Sequence, residues 1–523
     1  MAPNPHEARF NGGHKSPRGI TMRQHLRRAW GLTLLVPLLA SAQNAPSPCE
    51  RVLRLLGHRL TDATCIDSAD LTTNGATTTP ANNALPGLPP LAFTPTTDAT
   101  VIAPSVGKRT PIGKAVPGLQ IQARLAGDPT GQGRFLLRLP HDWSGRLVVA
   151  GASGTRSEFN GDLSWSDYVL QKGHAYASQN KGVLNLRLST AADPLGCRLN
   201  PASTTYVHFY DNDPDQPFTR WTDAIVTTAD IARDAVRIHY GRPARYTYAV
   251  GTSNGGYQVR RAIETAPRLF DGGVDWEGTY VDEHGPNLLT DLPPAVLNWP
   301  DYVASGFNPN STAAKNIRAA GYPPDIVSGA NSFWGLHWAQ FWEVTLCQWQ
   351  KRFDPTYDTY GAGLGGYNYH ARRSVAEVDA PLAAVANTGQ LRRPLITVAG
   401  TMDALLPIDH HARAYQRQVE EASASPRPGR GAERFDRDDD WGDRRPAYRL
   451  YEVQNGNHIE TYQDIFPQLA LIEPHAHRAF DLLVQHVEHR LPLPPDQCIP
   501  KGGAIASVPA PGQAGHCAAL FVP

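Results

Sequence analysis

Arg245-Tyr246-Thr247-Tyr248-Ala249-Val250-Gly251-Thr252-Ser253-Asn254-Gly255-Gly256-Tyr257 is the stretch that decides the fold. Residues 245–250 are short, β-branched and aromatic, as a strand requires. Residues 254–265 then read as a helix. Between them Ser253 sits in a Gly-x-Ser-x-Gly pattern. A serine on a sharp strand-to-helix turn presents its hydroxyl above the sheet edge. Glycines flank it because a side chain there would meet neighbouring backbone. A glycine-rich structural turn that happens to hold a serine has the same spelling, so the surroundings must decide.

Working outward, the same rhythm recurs. Upstream, residues 119–125 alternate apolar and polar, and 134–139 form a second strand-like run. Residues 146–150 are a short apolar run that ends in Gly151-Ala152-Ser153-Gly154, a buried strand followed by a glycine-bearing loop. Residues 174–179 read as the next strand. Residues 221–240 repeat apolar side chains at Ile225, Ala229, Ala232 and Val236, one face at helical spacing, and Gly241-Arg242-Pro243 ends that helix. Downstream come a strand at 394–399, a helix at 408–421, a strand at 448–453 and a helix at 475–487. Strands alternating with helices predict an α/β fold: a mostly parallel central sheet flanked by helices. Regular structure is expected to begin near Val116.

The long gap between the two blocks holds Trp299, Tyr302, Phe307, Phe333, Trp334, Trp338, Phe341, Trp342, Trp349, Phe353, Tyr357, Tyr360, Tyr367 and Tyr369. This aromatic-rich segment is expected to be an insertion forming a lid over the sheet edge. Trp334, Trp338 and Trp342 are its candidate substrate-binding residues. A second hydrophobic core is the plainer reading, and the two are compatible.

A serine hydroxyl needs a base within hydrogen-bond reach and a group that orients the base. In this kind of fold the partners follow in the order serine, acid, histidine. Asp403 lies just past the strand at 394–399, at the sheet edge where catalytic groups of open α/β sheets collect. His458 lies just past the strand at 448–453, in Gln454-Asn455-Gly456-Asn457-His458. Asp403 can alternatively be a helix N-cap, and Glu277 and Asp275 are rival acids. His410 and His411 fall inside the helix after Asp403. With Ser253, Asp403 and His458 as catalytic residues, His458 takes the serine proton and Asp403 holds the imidazole. The oxyanion hole is expected from the Asn254 N–H and the loop carrying Ser153 and Gly154. This chemistry requires no cofactor and no metal.

The chain has 523 residues, with 49 basic and 49 acidic side chains and a net charge of +0. A phosphate-binding surface shows as a basic excess, so nucleic acid is not an expected partner. Residues 1–42 read as a signal peptide, with Met22 as a candidate start. Arg23, Arg27 and Arg28 are basic, 30–39 is a short apolar core, and Ala40-Ser41-Ala42 is a cleavage pattern. That core is too short to span a bilayer. The mature chain is expected to be secreted or periplasmic, with no membrane contact. Six cysteines follow the cleavage pattern. Proximity pairs Cys49 with Cys65 and Cys498 with Cys517, leaving Cys197 with Cys347. The implied organisation is a disulfide-bearing extension and linker (43–115), a catalytic domain (116–280 and 391–495), the insertion (281–390) and a disulfide-bearing tail (496–523). Residues 72–100 read as an irregular connector. The aspartate run 436–440 reads as a solvated loop, because a calcium loop would need a glycine where Trp441 stands.

Ser253-Asn254-Gly255-Gly256, Gly400-Thr401-Met402-Asp403-Ala404-Leu405-Leu406-Pro407 and Gly456-Asn457-His458 resemble secreted bacterial α/β-hydrolase esterases of the tannase and feruloyl esterase group. They also resemble the extracellular 3-hydroxybutyrate oligomer hydrolases. The resemblance spans about residues 130–490. It implies an eight-stranded α/β-hydrolase fold with a lid, and aromatic or hydroxyacid ester substrates. Tannase-type enzymes join a cysteine beside the serine to one beside the histidine. Here Thr252, Asn457 and Ile459 stand at those places, so that bridge cannot form. The expected activity is extracellular serine carboxylic ester hydrolysis of a small or oligomeric ester. The alternatives are a secreted serine peptidase of the same fold and a non-catalytic binding protein.

Overall fold

The computed structural model describes residues 46–75, 108, 110–154, 157–182, 186–189, 205–208, 218–357, 367–374, 376–424 and 447–523. Its main sheet contains ten strands: β1 (Leu60–Ser68), β2 (Gly118–Leu125), β3 (Arg134–Pro140), β4 (Arg146–Gly151), β5 (Ala175–Gln179), β6 (Tyr246–Thr252), β7 (Gly272–Trp276), β8 (Leu395–Gly400), β9 (Tyr448–Val453) and β10 (Gln497–Ile499). Their spatial order is β1-β2-β3-β5-β4-β6-β7-β8-β9-β10. The β1, β2, β3 and β5 neighbours pair antiparallel. From β5 across to β10 every pairing is parallel. The exchange of β4 and β5 and the parallel run that follows make this an α/β-hydrolase sheet.

The principal helices are α1 (Pro48–Leu56), α2 (Thr219–Tyr240), α3 (Asn254–Thr265), α4 (Leu288–Ala304), α5 (Glu343–Phe353), α6 (Ala412–Ala424) and α7 (Glu473–His489). They cover both sheet faces. The α2 stripe of Ile225, Ala229, Ala232 and Val236 packs with Val149, Ala177 and Val259 on one face. On the other, α7 sets Phe480 and Leu483 in a cluster with Val148, Val250 and Ile396. Strands covered on both faces must be apolar throughout rather than alternating, which is why β8, Leu-Ile-Thr-Val-Ala-Gly, is buried at every position.

The structure departs from the sequence expectations at both ends of the sheet. Among the described residues regular structure begins at Pro48, not near Val116. Ser47 and Glu50 form a capping box for α1, and the Cys49–Cys65 disulfide ties α1 to β1. At the far edge β10 joins the sheet, and the Cys498–Cys517 disulfide anchors the tail behind it. The sheet therefore has ten strands where the resemblance implies eight, and the cysteine-bearing ends supply the two outermost. Cys197 lies outside the described residues, as do the signal segment 1–42, most of the connector at 72–100 and the aspartate run 436–440. The helix expected from residue 408 starts at Ala412. No helix among the described residues is long and apolar enough to cross a membrane.

The insertion is helical, and Asn287 caps α4 through Leu289 N–H. Trp299, Tyr302, Ile317, Trp334, Trp342, Leu346 and Phe353 belong to one buried cluster. The same cluster includes Met402, Leu405, Leu406, Ile459 and Phe466. The insertion thus shares its core with the loops that follow β8 and β9.

Candidate active site

Ser253 stands between β6 and α3 with φ +60° and ψ −125°, a conformation that residues with side chains rarely adopt. Its N–H donates to the Trp276 carbonyl at 2.9 Å, and its carbonyl accepts from Tyr257 N–H at 3.1 Å. The turn is possible because three glycines converge: a Cβ on Gly251 or Gly151 would collide with the Gly255 backbone. Steric necessity therefore accounts for both glycines of the Gly-x-Ser-x-Gly pattern.

The parallel register of β8 and β9 sets Gly400 opposite Val453. The loops beyond them are cross-tied. Thr401 N–H donates to the Val453 carbonyl at 3.0 Å and Met402 N–H to the Gly456 carbonyl at 2.7 Å. Asn455 N–H donates to Thr401 Oγ1 at 2.9 Å. Asp403 and His458 project from these tied loops. His458 Nε2 lies 2.9 Å from Ser253 Oγ, and its Nδ1 lies 2.8 Å from Asp403 Oδ2. A carboxylate only accepts, so Nδ1 carries the proton and Nε2 is free to accept from the serine. All three side chains are buried.

Asp403 also bonds to backbone. Its Oδ1 accepts the N–H groups of Leu405 at 2.8 Å and Leu406 at 2.7 Å. These bonds close a turn and not a helix, since the next helix begins at Ala412, so Asp403 is not the alternative helix N-cap. Of the rival acids, Asp275 is committed to Arg260, with Nε–Oδ2 at 2.5 Å. Glu277 is close: its Oε2 lies 3.7 Å from His458 Nδ1, while its Oε1 accepts Gly400 N–H at 2.9 Å. Burial raises the Glu277 pKa well above the carboxylate range, and the charge of Asp403 raises it further. Among the described residues, Glu277, Asp403 and His458 form the one group of carboxylate, imidazole or thiol ligands close enough to share a cation.

The oxyanion expectation divides. Asn254 is the first residue of α3, so its N–H has no carbonyl a turn earlier to bond. Thr279 Oγ1 holds its side chain through Asn254 Oδ1 at 2.8 Å. The Ser153 amide, in contrast, is already engaged by Asn160 Oδ1 at 2.7 Å, and that of Ala152 by Gln258 Oε1 at 2.9 Å. Ser153 is therefore not a free donor in this conformation. Gly154 is half-buried, and the next two residues lie outside the described set. Two contributors escaped the sequence reading. Buried Lys181 donates from Nζ to the Ser153 carbonyl, and Asn160 orders the same loop. Neither shows in a periodicity.

The tryptophan expectation needs correction. Trp334 and Trp342 are fully buried (0% exposed), and each indole N–H is spent on a carbonyl, that of Pro323 or Ala404. They are core rather than pocket lining. Trp338 is half-buried and stacks on Trp299 at 5.6 Å between centroids. The bond to Ala404 matters nonetheless, because it ties the insertion to the residue next to Asp403. His337 reaches the other loop, with Nε2 3.3 Å from Asn457 Oδ1, and burial lowers its pKa to about 3.

The fold and this edge geometry define an α/β-hydrolase. Residues 362–521 match the family model described as 3HB-oligomer hydrolase (3HBOH). That span contains Asp403, His458 and the tail but not Ser253. The D-(-)-3-hydroxybutyrate oligomer hydrolase of Burkholderia thailandensis is 30% identical over 125 residues, 23% of this chain and 15% of that protein. The chain thus matches only a small part of that relative's length. Among solved structures, feruloyl esterase B from Aspergillus oryzae aligns with 83% of this chain and 87% of its own at 12% identity and a TM-score of 0.43. The rice cell wall degrading esterase LipA from Xanthomonas oryzae covers 82% and 99% at 11% identity and a TM-score of 0.41. The family model and the Burkholderia protein fall in one of the groups that the three sequence motifs resemble.

Proposed function

We propose that this protein is a secreted or periplasmic serine hydrolase of carboxylic esters, with Ser253 as nucleophile, His458 as general base and acid, and Asp403 as the orienting acid. The observation that carries the reading is the unbroken hydrogen-bond chain from Ser253 Oγ through His458 to Asp403. His458 Nε2 takes the Ser253 proton as Oγ attacks the ester carbonyl. The tetrahedral oxyanion receives the Asn254 N–H, aided by the positive end of α3. Collapse expels the alcohol, which takes its proton from His458 Nε2. Water then repeats the sequence to release the acid.

Hydroxyalkanoate oligomers are the favoured substrates, because the matched family model covers the segment bearing the proposed acid and base. Aromatic esters of the feruloyl or tannin type are the second class. Two disulfides among the described residues support residence in an oxidising compartment. The experiment is hydrolysis of p-nitrophenyl butyrate, linear 3-hydroxybutyrate oligomers and a hydroxycinnamate ester by the protein and by Ser253→Ala. The variant is expected to lose at least about 10⁴-fold in kcat. Retained hydrolysis by Ser253→Ala refutes the mechanism, and a preference for the hydroxycinnamate refutes the substrate order.

A further inference from the structure

His458 Nδ1 faces two carboxylates rather than one. Asp403 comes from the end of β8 and Glu277 from the end of the adjacent β7, immediately after Trp276. Glu277 is held in place by backbone. Its φ is +50°, its N–H donates to the Val398 carbonyl at 2.8 Å, and its Oε1 takes the Gly400 N–H. Gly400 has to be a glycine for this approach, since a Cβ there would stand 2.8 Å from Glu277 Oε1. The second oxygen, Oε2, is buried and lies 3.7 Å from Nδ1, with the Trp276 indole as a further hydrogen-bonding neighbour of the carboxyl.

Resting on the triad assigned above, we propose that Glu277 is a positioning residue for His458: a second strand-end acid that backs the Asp403–His458 hydrogen bond and takes over the orientation of His458 when Asp403 is removed.

The charges around the site set its resting state. Two carboxylates in one buried site do not both ionise. Asp403 accepts two backbone N–H groups and the imidazole, whereas Glu277 accepts one backbone N–H. The anion therefore resides on Asp403 and the shared proton on Glu277. Glu460, in the loop after His458, adds a third carboxyl that favours this neutral form. Once Asp403 is gone, the repulsion from its charge is gone too. Glu277 then ionises at a lower pH than it does beside Asp403, although burial, the larger cause, still raises its pKa. A shift of about 1 Å brings Oε2 into hydrogen-bond range of Nδ1.

The test is a cycle of Glu277→Gln, Asp403→Ala and the double variant in the full chain, assayed on p-nitrophenyl butyrate across pH with Ser253→Ala as the floor. Glu277→Gln, which keeps the shape of the side chain but cannot ionise, is expected to lower kcat more than it raises KM. The double variant is expected to fall about 10⁴-fold, the loss typical of a triad without its orienting acid. Asp403→Ala is expected to stand about 10-fold to 100-fold above the double variant. Its activity should rise with pH as Glu277 ionises, and that rise should vanish in the double variant. A merely structural Glu277 would not move this pH profile. Should Asp403→Ala fail to fold by near-ultraviolet circular dichroism, Asp403→Ser replaces it, since its hydroxyl can still accept Leu405 N–H. Equal activities and equal pH profiles of the single and double Asp403 variants overturn the proposal while leaving the triad intact. Retained activity in Ser253→Ala overturns the triad reading, and the proposal with it.

Discussion

Asn455 is a side chain whose removal should be felt in both stability and turnover. It is fully buried with φ +65°, three residues before His458. Its Nδ2 donates to the Gln468 carbonyl at 2.8 Å and the Val522 carbonyl at 2.6 Å, and its Oδ1 accepts Val522 N–H at 2.8 Å. Three hydrogen bonds at about 1 kcal/mol each, discounted because Val522 is partly exposed and water can replace it, amount to about 2–3 kcal/mol. Asparagine tolerates a left-handed backbone and alanine does not, which adds about 1 kcal/mol. Asn455→Ala should therefore cost about 3–4 kcal/mol, and Asn455→Gly should recover about 1 kcal/mol of that by relieving the backbone. The assay is urea denaturation followed by tryptophan fluorescence, paired with kcat on p-nitrophenyl butyrate. Both variants should lower kcat more than they raise KM, since the loosened loop carries the proposed base and not the substrate contacts. Equal stabilities of the alanine and glycine variants, both within about 1 kcal/mol of the parent, would show that neither the side-chain bonds nor the left-handed backbone matters.

Two further outcomes are expected. His410 Nδ1 faces Asp291 Oδ1 at 3.1 Å while Nε2 faces the Ala320 carbonyl at 2.9 Å, so both ring nitrogens meet acceptors and the ring is held as imidazolium. Burial opposes that charge, but the Asp291 hydrogen bond and charge outweigh it and raise the pKa above 6.5. Asp409, His411 and Arg413 are the other ionisable groups nearby. A raised folded-state pKa gives stability that is fully present below the unfolded value and is lost as pH rises through the folded one. The stability difference between the parent and His410→Gln should accordingly be largest below the ordinary imidazole pKa of about 6.5 and shrink as pH rises through the raised folded-state value, and a flat or growing difference in denaturation midpoints contradicts it. Exhaustive dialysis against a chelator should leave ester hydrolysis unchanged, because the proposed triad works through the His458–Asp403 hydrogen bond and needs no cation; activity lost and then restored by one divalent cation would make Glu277, Asp403 and His458 a metal site.

What could be read in the sequence was what physical periodicity or steric necessity writes there. The elbow was legible because only glycine survives at 251 and 255. The end of β8 was legible because a strand buried on both faces is apolar almost throughout, so the polar residues beyond it mark the sheet edge; β9 carries Arg449 and Glu452 and was legible from its Tyr, Leu and Val residues. β1 was not legible: Leu-Thr-Asp-Ala-Thr-Cys-Ile-Asp-Ser has an edge strand's mixed burial and no clean alternation. β10 is three residues long and too short for any pattern. The tryptophans announced a core by composition, but composition does not say which ring faces a pocket and which is spent on a carbonyl. The engagement of the Ser153 amide by Asn160 is a side-chain-to-backbone contact, and such contacts have no period to detect.

The proposed acid and base sit on irregular loops, which have no ladder of their own to hold them to the precision that proton transfer demands. Here that precision comes from three directions. The loops are bonded to each other through Met402, Gly456, Thr401 and Asn455. From one side the insertion grips both, with Trp342 on Ala404 and His337 on Asn457. From another the tail grips both, because Leu520 accepts from Thr401 Oγ1 and Val522 pairs with Asn455. The positions where tannase-type enzymes carry a covalent bridge hold Thr252, hydrogen-bonded to Trp165 Nε1 at 3.3 Å, and Asn457, bonded to the insertion. No sulfur links the serine turn to the histidine loop, so their alignment rests on the packing of two separately anchored units. Through a core shared with Met402, Leu405, Leu406 and Ile459, the packing of the aromatic-rich segment bears on where Asp403 and His458 stand.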